Sequence, residues 1–295
     1  MAMSGKRLRV WTLIFLLATL LCLSQRHICS KADGAEVPMF LLYPDAEEPF
    51  AWLIPEVSAP KAAYTAFAPA YDNAPETEEK FAVQGEVHVL IYHTHTTEAY
   101  RMEGEDVYEE SGFSRTRNAQ KNIIRIGEAL KAQLEAQGFR VIHDTTDHEP
   151  PKLATAYTRS EQTMRYYQQK YPDMDIYIDV HRDAADIEKN KDDVVIIDGK
   201  RCARMMFVVG KGTKYDEKPD FKANLALAEA LSAQLDTYHP KLTRDIRIKE
   251  GRYNQHIGDM CLLVEVGHNA NTLQDALNST AYLAKAMAEV VTIVD

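Results

Sequence analysis

Residues able to bind a metal ion and move a proton recur in this chain directly after apolar runs. In VHVLIYHTHTTEAY, residues 87–100, His93, His95 and Glu98 follow the run from Val87 to Tyr92. His95 and Glu98 have the His-x-x-Glu spacing, which lets an imidazole and a carboxylate from one tight turn converge on a single cation. His93 lies two residues earlier, shares a face with His95 in an extended chain, and is an alternative ligand. His181 closes the run IYIDV and is followed by Arg182 and Asp183. Glu265 sits inside the apolar run LLVEVG. Burying an ionised carboxylate is costly without compensation, so Glu265 either pairs with an arginine such as Arg252 or Arg182, or is held at a functional site.

Together these residues suit a zinc hydrolase. His95, Glu98 and His181 would offer zinc two nitrogens and one oxygen and leave a fourth position for water, the pattern of catalytic zinc sites. Zinc lowers the pKa of such a water and polarises a carbonyl, and Glu265 would take the proton and return it to a leaving amine. Arg182 or Asn254 could steady the developing oxyanion or the substrate, with Asp183 and Arg252 beside them as supporting or substrate-side residues. Only neutral imidazole binds metal, so activity should fall on acidification.

The elements that must position these groups read as alternating strands and helices. Val87, Val89, Leu90 and Ile91 suit a strand buried in a sheet. Asn118 precedes a helix expected over about 119–137, whose Ile123, Ile126, Leu130 and Leu134 recur at three and four residues and which Gly138 stops. A strand over 139–143, a helix over 157–171 and a strand over 176–180 follow. Val194–Ile197 and Arg204–Val209 read as an antiparallel pair around a turn at Asp198 and Gly199. A helix over 221–238, a strand over 262–266 and a closing helix over about 273–291 complete the chain. The expected fold is α/β, a mostly parallel central sheet flanked by helices on both faces. Ligands then bind beyond the carboxyl ends of the strands, where the histidines fall.

The formal net charge of −10 excludes a nucleic-acid partner, whose phosphates would be repelled. Basic charge is concentrated at the start, where Lys6, Arg7 and Arg9 precede an apolar run from Val10 to Leu23. That order predicts a secretory signal or membrane anchor over residues 1–34, with the rest of the chain outside the cytoplasm, either as a single-pass membrane protein or released if the signal is cleaved. Residues 35–84 are rich in Ala and Pro and read as an extracytoplasmic stalk, and residues 85–295 as the catalytic domain. Cys22, Cys29, Cys202 and Cys261 show no Cys-x-x-Cys spacing, and a bridge between Cys202 and Cys261 stays open.

VLIYHTHTTEAY, IYIDVHRDA and RYNQHIGDMCLLVEVGHNANT, in that order, resemble the signature blocks of the stage II sporulation protein P family, and VIHDTTDHEPP and NIIRIGEAL extend the likeness. The family is similar to zinc-dependent N-acetylmuramoyl-L-alanine amidases, whose core sheet is flanked by helices, while the His-x-x-Glu spacing of His95 and Glu98 is also found in zinc carboxypeptidases. The resemblance implies a peptidoglycan hydrolase that removes stem peptides from glycan strands during sporulation engulfment, with cross-link endopeptidase activity also attributed to the family. It implies Zn2+ as cofactor, peptidoglycan as substrate, and stage II sporulation proteins D and M as partners at the membrane. Carried over by position, His95 and His181 fall on the metal histidines and Glu265 on the catalytic glutamate. The family's third ligand usually comes from farther along, where this chain has Arg117 and Asn118, so Glu98, Glu109, Glu110 and His93 stay open for that place. Two other readings are a zinc peptidase acting only on stem peptides or cross-links, and a catalytically inactive, membrane-tethered wall-binding scaffold.

Overall fold

The computed structural model describes residues 81–212 and 217–294. The expected anchor over 1–34 and nearly all of the stalk lie outside these residues. Strands are β1 (Ala82–Gln84), β2 (His88–Tyr92), β3 (Arg140–His143), β4 (Ile176–Asp183), β5 (Val194–Ile197), β6 (Lys200–Ala203), β7 (Met205–Gly210), β8 (Arg247–Lys249), β9 (Met260–His268) and β10 (Thr292–Val294). Helices are α1 (Ile123–Ala136), α2 (Ala156–Lys170), the single turn α3 (Ile187–Asn190), α4 (Phe221–Tyr238) and α5 (Leu273–Val290).

A six-stranded sheet in the order β3-β2-β4-β9-β7-β8 forms the centre. Strands β3, β2, β4 and β9 run parallel, β7 runs against β9, and β8 follows β7. The sheet is therefore largely parallel, and the parallel strands deliver their carboxyl ends to one rim. Strand alternation sorts the side chains between the two faces. Val89, Ile91, Ile178, Val180, Val264 and Val266 face the main core, covered by Ile126, Leu130 and Leu134 of α1, Leu227 and Leu231 of α4, and Leu283 and Met287 of α5. On the opposite face Leu90, Tyr92 and Tyr177 pack on Met164 of α2. Removing one of the fully buried leucines, such as Leu130→Ala, would cost about 2–5 kcal/mol.

Several expectations shift in detail. Helix α1 starts at Ile123, because Asn122 rather than Asn118 caps it, its side chain accepting the Ile124 N–H. Strand β4 continues through Asp183, so His181 and Arg182 lie within it. The turn at Asp198 and Gly199 does join an antiparallel pair, but the partner of β5 is β6, in a separate two-stranded sheet. The expected partner, Arg204–Val209, is instead central strand β7, buried along its whole length, which pairs with β9. β1 pairs with β10, and Phe81 and Val83 join the core. Cys202 and Cys261 are free, buried thiols.

Gly127 of α1 lies over a buried histidine pair. His93 Nε2 and His143 Nε2 are 2.9 Å apart, and a Cβ on Gly127 would stand 2.5 Å from the His143 ring and 2.6 Å from the His93 ring. Alanine normally favours a helix by about 1 kcal/mol over glycine, but here it forces ring atoms aside. Gly127→Ala should therefore destabilise the domain, by about 1–3 kcal/mol in urea unfolding, reversing the sign that helix propensity gives.

Burial, with Lys131 nearby, pushes His143 down to about 4. An unfolded histidine protonates near 6.5, so between about 6.5 and 4 the unfolded chain takes up a proton that the folded one refuses. Stability should fall as pH drops through that window. His143→Gln, which removes the titrating ring and keeps a hydrogen-bonding group, should flatten the fall when unfolding midpoints are compared at pH 7 and pH 5.

Candidate metal centre

The face of the sheet that carries α2 becomes polar towards the rim. Alternation puts Tyr177, Asp179 and His181 of β4 on it in sequence, and Cys261, Leu263 and Glu265 of β9 beside them. His181 and Glu265 are direct neighbours across the β4–β9 pairing, so their side chains leave the sheet on the same side. The loop after β2 brings His95 and Glu98 to this point, and both are only 4% exposed. The ring centroids of His95 and His181 are 5.4 Å apart, and His181 Nδ1 lies 3.4 Å from Glu98 Oε2. His95, Glu98 and His181 thus gather from two strand ends, with Glu265 on the adjoining strand.

This cluster is dense in charge. Asp179, wholly buried, lies 2.9 Å from His181 Nε2, so the imidazole stands between two carboxylates. Burial alone would lower the pKa of His181, but Asp179 and then Glu98 overcome it and hold it well above the ordinary histidine range. Burial likewise opposes ionisation of Glu98, yet Arg182, His181 and Arg115 keep it well below the usual carboxylate range. Arg115 Nη2 approaches Glu98 Oε1 at 3.5 Å and Arg182 Nη1 at 4.0 Å, and the Arg182 N–H donates to Glu98 Oε2 at 3.1 Å.

A zinc ion can be tested against these donors. Two ligands each about 2.05 Å from a tetrahedral ion stand about 3.3 Å apart, and the separation of His181 Nδ1 and Glu98 Oε2 matches such an edge. His95 supplies the second imidazole. Among the described residues no three His, Cys, Asp or Glu side chains already surround one point as a metal cage does. The donor set fits zinc in kind and along the one edge that the distances define.

The remaining sequence-derived candidates divide. His93 is turned to the other face, its Nδ1 donating to the Val180 carbonyl and its Nε2 against His143, so it does not join the cluster. Glu109 and Glu110 are exposed. Arg182 stays at the site but is spent on the 98–115 loop, its Nε donating to Ala99 O and its Nη2 to Ser114 O, both at 2.9 Å. Asp183 points away, to Arg244 at 2.8 Å and Arg247 at 3.5 Å. Asn254, at a positive φ of 55°, donates to Tyr157 O and Ser160 Oγ and so fastens the start of α2. Arg252 pairs with Glu161 of α2 at 3.2 Å.

Comparison with known proteins adds the family. The pattern of stage II sporulation protein P matches residues 60–288. The chain belongs to the stage II sporulation protein P family. It is 30% identical over 226 residues to stage II sporulation protein P of Bacillus subtilis strain 168, a match covering 71% of this chain and 53% of that one, so the chain spans about half the length of this curated relative. Among solved structures it partly superposes on the catalytic domain of CwlV, an N-acetylmuramoyl-L-alanine amidase from Bacillus (Paenibacillus) polymyxa var. colistinus, with 13% identity, a TM-score of 0.41, and coverage of 70% of this chain and 96% of that one. The N-acetylmuramoyl-L-alanine amidase from Clostridium difficile 630 gives 12% identity, a TM-score of 0.41, and coverage of 70% and 95%.

In this member of the stage II sporulation protein P family, sequence reading missed Asp179, Thr94, Tyr157 and Arg115. Asp179 had the same signal as Glu265, a carboxylate inside an apolar strand. Tyr157 opens α2 and covers the two imidazoles, its ring stacked 6.5 Å from His181 and edge-on 5.7 Å from His95. Nothing in its sequence context marks it. Arg115 bridges Glu98 and Glu149, whose carboxylate also takes the Thr97 N–H and hydroxyl.

These placements separate two neighbours on β4. Arg182→Met would leave Glu98 and two buried carbonyls short of a donor and should destabilise the domain by about 3 kcal/mol in thermal or urea unfolding. Asp183→Asn, whose partners lie away from the cluster and nearer solvent, should cost about 1 kcal/mol or less.

Proposed function

We propose that this chain hydrolyses peptidoglycan as a zinc-dependent N-acetylmuramoyl-L-alanine amidase, cutting the amide between the lactyl group of N-acetylmuramic acid and L-alanine during sporulation. The observation that carries the reading is the convergence of His95, Glu98 and His181 at one rim, with Glu265 beside His181 on the same face. Family membership supports a wall substrate and a sporulation setting. Placement follows the sequence: residues 1–34 tether the chain to the membrane, the domain works outside the cytoplasm, and stage II sporulation proteins D and M are its partners there. No helix among the described residues is long and apolar enough to cross a membrane, and residues 1–34 are not among them.

Each residue has a distinct task in this reading. His95 and His181 hold zinc through nitrogen and Glu98 through oxygen. When bound, zinc supplies Lewis-acid polarisation of the scissile carbonyl and acidifies a water. Glu265, 7% exposed on a rigid strand, takes a proton from the attacking water at its carboxylate and returns it to the leaving L-alanine nitrogen. Arg115 and Arg182 keep Glu98 ionised, the form in which a carboxylate is a ligand. Tyr157, packed on the imidazoles, excludes bulk water from them and so strengthens the electrostatic interactions beneath.

Mass spectrometry of products from purified sacculi tests the assignment. The full chain should release intact stem peptides with free amino-terminal L-alanine, and a chelator should abolish release. Glu265→Gln should lower the rate by at least about 100-fold while sacculus binding persists. Cleavage only between peptides would make it a peptidase, and wall binding with no cleavage under any metal supply would make it a scaffold.

A further inference from the structure

Backbone pairing between β2 and β4 ends at Tyr92 and Asp179. The residues that matter, Thr94 and His95 on one side and His181 on the other, lie beyond that last pair, where no ladder between these strands fixes their separation. One side chain takes over there. Asp179 accepts the Thr94 N–H on Oδ1 at 2.8 Å and the Thr94 hydroxyl on Oδ2 at 2.6 Å, and its Oδ1 lies 2.9 Å from His181 Nε2. Thr94 immediately precedes His95, so a single wholly buried carboxylate grips both histidine-bearing segments. Its surroundings are rigid as well: Thr94 Oγ1 is 2.7 Å from Ser160 Oγ, and Ser160 receives Asn254 Nδ2 at 2.9 Å.

The orientation of the imidazole follows. His181 Nε2 lies against Asp179 as a close ion-pair contact whose ring N–H is not aligned for a hydrogen bond, and Nδ1 is the nitrogen left facing Glu98. A metal-binding histidine commonly gives its other ring N–H to a carboxylate, which fixes the tautomer and raises the basicity of the ligating nitrogen. We propose that Asp179 is a positioning residue of the metal centre: with the ion bound, a small rotation of the ring lets it take the Nε2–H of His181, so that Nδ1 is presented to the ion, and through Thr94 it holds the segment that carries His95. This role rests on the zinc reading given above and adds to it the group that sets ligand geometry from behind.

A purely structural Asp179 would serve folding alone, and two measurements on the full chain separate the alternatives. The first is zinc affinity by chelator competition. Asp179→Asn keeps the shape and most of the hydrogen bonding but removes the charge, and zinc affinity should fall by about 10–100-fold while the far-UV circular dichroism of the metal-free protein stays as in wild type. The second needs no variant: in the zinc-loaded wild-type chain, imidazole nitrogen NMR should show His181 protonated at Nε2 and metal-bound at Nδ1. Zinc bound through Nε2, or affinity within about threefold of wild type in Asp179→Asn, would overturn the role of Asp179 while leaving the zinc reading in place. A wild-type chain that takes up no zinc would overturn both.

Discussion

Everything at the rim depends on keeping ionised groups charged where water is scarce. Glu98, Asp179 and His181 are each almost completely buried, and a lone charge in such a place would lose several kcal/mol of hydration. The domain solves this by contact: Asp179 and Glu98 flank His181, Arg115 and Arg182 flank Glu98, and Glu149 flanks Arg115. Charges alternate in sign along this chain of contacts, so each is offset by its neighbours. The His181 ring stands between Asp179 and Glu98, and both carboxylates favour its protonated form.

Topology explains why these groups meet. Among the described residues the clustered histidines and acids come from the carboxyl ends of β2, β4 and β9, adjacent and parallel, while antiparallel β7 sends its amino end to the same rim and adds the apolar Met206. Three helices cover one face of the sheet, and the other has α2 with the 250–258 segment. The cluster therefore lies on the face away from the main core. Loop 93–122 then has to be held over the rim without regular structure. Arg182 does this from within β4, reaching two carbonyls of the loop, and the Ile123 N–H bonds Glu98 O, tying the start of α1 to the segment that carries Glu98.

Much of this was legible because period and burial agree. The apolar runs before His93 and His181 and around Glu265 are strands, and the three- and four-residue spacing of α1 and the full extent of α4 are where the pattern puts them. Errors arose where two rules competed. Asn118 and Asn122 both suit a helix cap, and tertiary contact with the loop chose the second. Met205–Val209 is continuously apolar, which signals a strand buried on both faces, but the nearby Asp198–Gly199 turn suggested a hairpin partner; the hairpin closes on Lys200–Ala203 and leaves β7 for the centre. Asp179 was missed although it obeys the rule that singled out Glu265, while Tyr157 and Arg115 depend on distant segments folding together and have no local signature.

His181, Arg182 and Asp183, three consecutive polar residues at the end of β4, serve three directions. The β4–β9 register shifts between His181 and Asp183, so that His181 pairs with Glu265 but Asp183 pairs with His268. The extra residue lies on β9, between Glu265 and His268, where Gly267 has a positive φ of 74°; a bulge there bends β9 and ends the regular pairing at the rim. His181 keeps the α2 face, Arg182 takes the opposite side under the 98–115 loop, and Asp183 swings out to Arg244 and Arg247. The cluster around His181 is thereby spared a further carboxylate, which would have raised the cost of keeping Glu98 and Asp179 ionised together.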